Sequence, residues 1–156
     1  MSSDKQQVIE AILDNLTCEL ELALAAANNA RATATNKENI AENKYDTLGL
    51  EAAYLAHGQS NRAQRLSDEK KAFAALQGDA ASESVSLGSL VCTQYEDGTT
   101  RWLFIGPGAA GLSLTLADFS VVVVTPESPL GGTLMGLSLD DSAVFNGSEF
   151  EIVDLN

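Results

Sequence analysis

Between residues 9 and 34 the chain reads IEAILDNLTCELELALAAANNARATA. Within it Ile9, Leu13, Leu16, Leu20, Ala23, Ala27, Ala30 and Ala34 recur in alternating steps of four and three. That 3.5-residue repeat is the seam of a helix lying along a partner helix. Ala, Leu and Glu dominate the stretch, and all are strong helix formers. Large residues fill the seam early and only alanines fill it late. The partner helix therefore approaches more closely towards residue 34, and less apolar area is buried there.

A second seam follows at Leu48, Ala52, Leu55, Gln59, Arg62, Leu66, Glu69, Phe73 and Leu76. Its spacing is the same, with polar interruptions at Gln59, Arg62 and Glu69. Between the seams, residues 33–43 are rich in Thr, Asn and Glu; Thr and Asn in particular favour caps and turns over helix interiors. The pattern predicts an antiparallel helical hairpin over residues 1–78, with its tip at 35–46. With about 30 residues per helix, the arm would be about 45 Å long at 1.5 Å rise per residue. Gly49 and Gly58 each cost about 1 kcal/mol inside a helix, so the second helix is expected to begin or bend near them.

The chain changes character near residue 80. All three prolines and nine of the twelve glycines lie beyond it. Residues 79–86 read as a small polar linker, and residues 87–156 as a small sheet domain with period-2 patterning. Residues 89–95 and 100–105 are expected strands, joined by a turn at Asp97-Gly98, where glycine supplies positive φ. Residues 119–125 form a β-branched run, residues 150–155 a closing strand, and residues 132–136 a short helical turn. The fold class is α+β, with an antiparallel sheet.

Composition bounds the function. Apolar residues make up 45% of the 156, so a core is possible. A net charge of −13 disfavours both a surface that wraps nucleic acid phosphates and binding to anionic membranes. No apolar run approaches the roughly 20 residues of a membrane helix. Cys18 and Cys92 form no ligand-spaced pair, and His57 is the only histidine. The expectation is a soluble, acidic, cytoplasmic and monomeric protein that is not itself an enzyme. The Gly106-Pro-Gly-Ala-Ala-Gly111 loop lacks the Lys-Ser/Thr of a phosphate-binding loop and reads as a turn.

Three segments carry a family resemblance. Val123-Val-Thr-Pro-Glu-Ser-Pro-Leu-Gly-Gly-Thr-Leu-Met-Gly136, Leu139-Asp-Asp-Ser-Ala-Val144 and Glu149-Phe-Glu-Ile-Val153 resemble the C-terminal domain of the Gre transcript-cleavage factors. Leu87-Gly-Ser-Leu-Val91 looks like the strand that opens that domain. Lys37-Glu-Asn39 and Glu42-Asn-Lys-Tyr45 are similar to the tip of the Gre coiled coil and the start of its second helix. The resemblance implies an FKBP-like C-terminal domain docked on RNA polymerase, with the coiled coil in the secondary channel. It also implies that tip acids assist the polymerase's own cleavage of backtracked RNA, sharing the Mg²⁺ of the polymerase active site. Such chemistry suits a hard ion that takes carboxylates and keeps waters, in a two-metal arrangement.

The candidate tip acids are Glu38, Glu42 and Asp46. Glu38 matches the family's second acid, whereas the first falls on Thr35, which offers no carboxylate. Candidate polymerase contacts are Arg62, Arg65 and the turn Ser128, Pro129, Leu130 and Gly131. Gly132 replaces a basic residue common after that turn, and Asp140-Asp141 stands where Gly-Asp is usual. Two other functions fit the same residues: a non-cleaving occupant of the secondary channel that regulates initiation or elongation, and an acidic protein-interaction adaptor unrelated to transcription.

Overall fold

A computed structural model describes residues 2–35, 48–76, 83–116 and 119–156. Its elements are α1 (Ser2–Thr35), α2 (Leu48–Ala74), β1 (Leu90–Tyr95), β2 (Thr100–Ile105), β3 (Ser113–Thr115), β4 (Ser120–Val124), α3 (Pro129–Leu134), β5 (Ser142–Phe145) and β6 (Ser148–Leu155). Two long helices followed by a sheet make an α+β fold, as the change of period near residue 80 requires. The chain divides into two compact units, Asp14–Lys70 and Met1–Leu13 with Lys71–Asn156.

In the helical unit, the α1 seam is buried as its spacing demands. Leu16, Ala23, Ala27 and Ala30 are buried and Leu20 is half-buried. The α2 seam lies elsewhere than its leucines suggest. Leu55 is 56% exposed and Arg62 is exposed, while Ala56, Ala63 and Leu66 are buried. The stripe therefore runs through Ala56, Gln59, Ala63 and Leu66, one residue on from the expected line at two positions. Arg31 Nη2 donates to Ser60 Oγ at 2.7 Å, so the two helices meet where α1 presents alanine. Helices packed through alanine can approach to about 8 Å, the near end of the usual range. The described helix α2 begins at Leu48, beside Gly49, and runs on through Gly58.

The sheet unit is a six-stranded sheet in the order β3-β4-β2-β1-β6-β5. All neighbours are antiparallel except β2 and β4, which are parallel. That departs from the wholly antiparallel sheet expected; β3, a three-residue strand outside β4, comes between the two in sequence. One face carries the core of Val85, Val91, Leu103, Ile105, Val124, Leu134, Phe150 and Ile152. Leu134 comes from α3, and Val85 from the stretch read as a linker. The Val85 N–H donates to Leu137 O at 2.7 Å and its carbonyl accepts from Gly136 N at 3.0 Å.

The opposite face carries Leu90 and Phe104, paired in register, and Val121 and Val123 of β4. Phe73, near the end of α2, stacks on Phe104 with ring centroids 6.2 Å apart. It reaches this face through a notch at Gly106. A Cβ there would lie 2.7 Å from Phe73 Cζ and 3.0 Å from Val123 Cγ1. Val8, Ile9 and Ile12 of α1 are fully buried in this same unit.

Chemical denaturation reads the weight of these contacts. Phe73→Ala lowers the unfolding free energy by about 3–5 kcal/mol, and Gly106→Ala by about 1–3 kcal/mol. The double variant loses less than the sum, because both changes act at one contact. In the helical unit, Leu55→Gln stays within about 0.5 kcal/mol of wild type while Ala56→Gln costs about 1–3 kcal/mol. The reverse order would return Leu55 to the seam.

Candidate functional site

The Ser128-Pro129-Leu130-Gly131 turn is built by its own side chains. Ser128 is the N-cap of α3, with extended backbone (φ −73, ψ 154), and its Oγ accepts from Gly131 N at 3.1 Å. The same hydroxyl donates to Thr125 O at 2.7 Å, tying the cap to the end of β4. Pro129 takes the first helical position, where its missing N–H costs nothing. Leu130 packs against the core. A Cβ on Gly131 would fall 1.8 Å from Thr125 O, so no other residue fits. Three of the four residues are thus committed to the turn, and Pro129 is the one left exposed. Gly132 is exposed too, and a Cβ there would sit 3.4 Å from Pro126 O.

Arg62 and Arg65 are exposed on α2. His57 is also exposed, its Nε2 3.3 Å from Asn61 Nδ2 one helical turn on. Glu38, Glu42 and Asp46 lie outside the described residues, and Thr35 closes α1. Asp140 has a left-handed backbone (φ 70), the conformation in which glycine is the unstrained choice. Asp141 Oδ2 accepts from Ser138 N at 2.7 Å, so the second acid of this pair holds the loop before β5.

Sequence reasoning did not anticipate the groove between the β1–β2 and β5–β6 turns, of about 470 Å³. Its walls include Tyr95, Glu96, Asp97, Arg101, Phe145 and Glu149. Arg101 lies over the Tyr95 ring, 5.3 Å from its centroid, in cation–π contact. Asp97 accepts from the Thr99 hydroxyl at 2.6 Å and the Thr99 N–H at 2.9 Å. Those bonds hold its carboxyl below the usual 3.8. The signals available in sequence were the two turn dipeptides, Asp97-Gly98 and Asn146-Gly147. Among the described residues no three His, Cys, Asp or Glu side chains converge to hold a metal ion, and no helix is long and apolar enough to cross a membrane.

No family model matches the chain, and no curated protein matches it. Among solved structures it is similar to GreA factor homolog 1 (Gfh1) of Thermus thermophilus, at 19% identity over 94% of this chain and 95% of that one, with a TM-score of 0.38. A second structure of the transcription factor Gfh1 is 22% identical over 94% of both chains, with the same TM-score. Gfh1 of Thermus aquaticus is 19% identical over 94% of this chain and 92% of that one, with a TM-score of 0.37.

The two thiols differ in surroundings. Cys18 is exposed and Cys92 buried. Burial, and then the charge of Asp154, push the Cys92 thiol above its ordinary 9.0. The folded chain thus holds that proton more tightly than the unfolded chain, and stability from this group falls as pH rises past about 9. The stability of wild type relative to Cys92→Ala should therefore be smaller at pH 10 than at pH 8, measured by urea denaturation. A difference independent of pH would mean Cys92 ionises as freely folded as unfolded.

Proposed function

We propose that the protein binds RNA polymerase and modulates transcription as a Gre-type factor, its helical arm entering the secondary channel. The observation that carries the reading is the Ser128–Gly131 turn within the Val123–Gly136 segment. Its Gly131 has no room for a side chain, and it lies in a chain that also bears a two-helix arm. The resemblance of that segment to the Gre C-terminal domain supports docking by the sheet unit. Arg62, Arg65 and the exposed Pro129 are the polymerase contacts in this reading.

The alanine seam supports insertion. Helices packed through Ala23, Ala27, Ala30, Ala56 and Ala63 make a thin arm, suited to a narrow channel. Glu38, Glu42 and Asp46, which the sequence places at the tip, would supply carboxylates to a Mg²⁺ shared with the polymerase, and the metal would supply an activated water for RNA hydrolysis. The polymerase performs the hydrolysis, and the factor is not itself an enzyme. It works as a cytoplasmic monomer with no metal of its own.

Thr35 favours a second reading. It stands where the family places its first acid, and a hydroxyl cannot replace a carboxylate as a ligand for a hard dication. The protein would then occupy the channel without promoting cleavage and regulate initiation or elongation by blocking it.

Purified protein added with magnesium to a stalled, backtracked elongation complex distinguishes the two, with polymerase binding measured in parallel. Shortened transcripts that disappear with Glu38→Ala or Glu42→Ala, at unchanged binding, are the expected result. Binding without cleavage would establish the channel-blocking regulator. Absence of binding at low salt would overturn both and leave an acidic adaptor unrelated to transcription.

A further inference from the structure

β5 is an edge strand held firmly from one side only. Its partner β6 pairs with it at Ser142↔Glu151, Ala143↔Phe150, Val144↔Glu149 and Phe145↔Ser148, without a register shift. The two-residue turn Asn146-Gly147, with φ of 51 and 79, makes Phe145 and Ser148 a hydrogen-bonded pair. Antiparallel pairing alternates, so the backbone groups of Phe145 and Ala143 point to β6 while those of Val144 and Ser142 point out of the sheet. Ala143 and Phe145 pack against the core. The strand is therefore anchored by its inward side chains, and its outer backbone groups have no backbone partner among the described residues.

Sheet edges are ordinarily guarded by a charged side chain such as lysine, a proline, a bulge or a very short strand. The four-residue Ser142-Ala-Val-Phe145 is short but carries no charge, proline or bulge, and no Lys or Arg occurs after Arg101. Val144 is 62% exposed, next to Glu149 on the same face, as Ser142 is next to Glu151. Asp140 and Asp141 precede the strand. An arginine or lysine on an added strand can lay its stem over Val144 and carry its charge to Glu149.

We propose that the outer edge of β5 takes up an extended, basic segment of a partner protein as a seventh strand. Backbone hydrogen bonds supply the pairing, and alternate side chains reaching Glu149 and Glu151 supply the selectivity for cations. A second copy of this chain is the wrong occupant, because it would bring a net charge of −13 and the same acidic rim to the same edge. The assignment does not depend on the polymerase reading.

The probe is a labelled eight-residue peptide alternating valine and arginine, with binding followed by fluorescence anisotropy at low salt. Val144→Pro removes an outward N–H and leaves the β5–β6 bonds in place, and should weaken binding about tenfold. Val144→Lys, which keeps the backbone intact and guards the edge, should do the same, as should Glu149→Lys combined with Glu151→Lys. A peptide alternating valine and glutamate should not bind. The proposal fails if a peptide alternating proline and arginine, unable to pair as a strand, binds as well as the valine peptide. It also fails if sedimentation shows wild type forming a dimer that Val144→Lys abolishes.

Discussion

The contact between Phe73 and the notch at Gly106 is the constraint on which the sheet unit depends. A phenylalanine from the end of α2 stacks on Phe104 only because position 106 has no Cβ to obstruct it. The face it covers carries Leu90, Phe104, Val121 and Val123, all 0% exposed. A sheet unit of this size buries too little surface on a single face to be comfortably stable. Residues of α3 close one side, and the terminal turns of the long helices belong to the unit that closes the other. The ends of both long helices therefore supply core to the sheet unit.

Further along α1 the requirement changes from bulk to thinness. Ile9, Leu13 and Leu16 give way to alanines, which contribute less burial per residue but allow a close approach. In α2 the same economy selects Ala56 and Ala63 over their larger neighbours. Gln59 sits in this stripe with its Oε1 buried and without a hydrogen-bond partner among the described residues. A buried amide oxygen of this kind weakens the packing and specifies register at once. The helical unit thus gives up stability for a narrow cross-section and a defined alignment.

Much of this was legible in the sequence, and what was missed has particular causes. The α1 seam, the strands β1, β2 and β4 and the Asp97-Gly98 turn follow from period and turn chemistry. The α2 seam was displaced at Leu55 because hydrophobicity ranks leucine above alanine, whereas close helix packing ranks them the other way. β5 was overlooked although Asn146-Gly147 is a strong hairpin signal, because its four residues carry a weak alternation between two acidic stretches. The parallel pairing of β2 and β4 follows from the insertion of β3 between them in sequence, which no local pattern encodes. Of the candidate site, the Ser128–Gly131 turn could be read for its structural role, since Ser, Pro and Gly each have one mechanism there. The groove beside Arg101 could not, since its two walls come from hairpins about 50 residues apart.

The position of β6 has a consequence for how the chain acquires its fold. β6 lies between β1 and β5 and bonds to both, so β5 joins the sheet only through residues 148–155. Residues 1–13 belong to that same compact unit, more than a hundred positions away in the chain. During synthesis the apolar Val8, Ile9 and Ile12 therefore emerge long before their permanent surroundings exist. Such distant pairings are slow to form and leave sticky surface open meanwhile. Any shortening that removes β6 also strips β5 of its pairing partner and takes Phe150 and Ile152 out of the core.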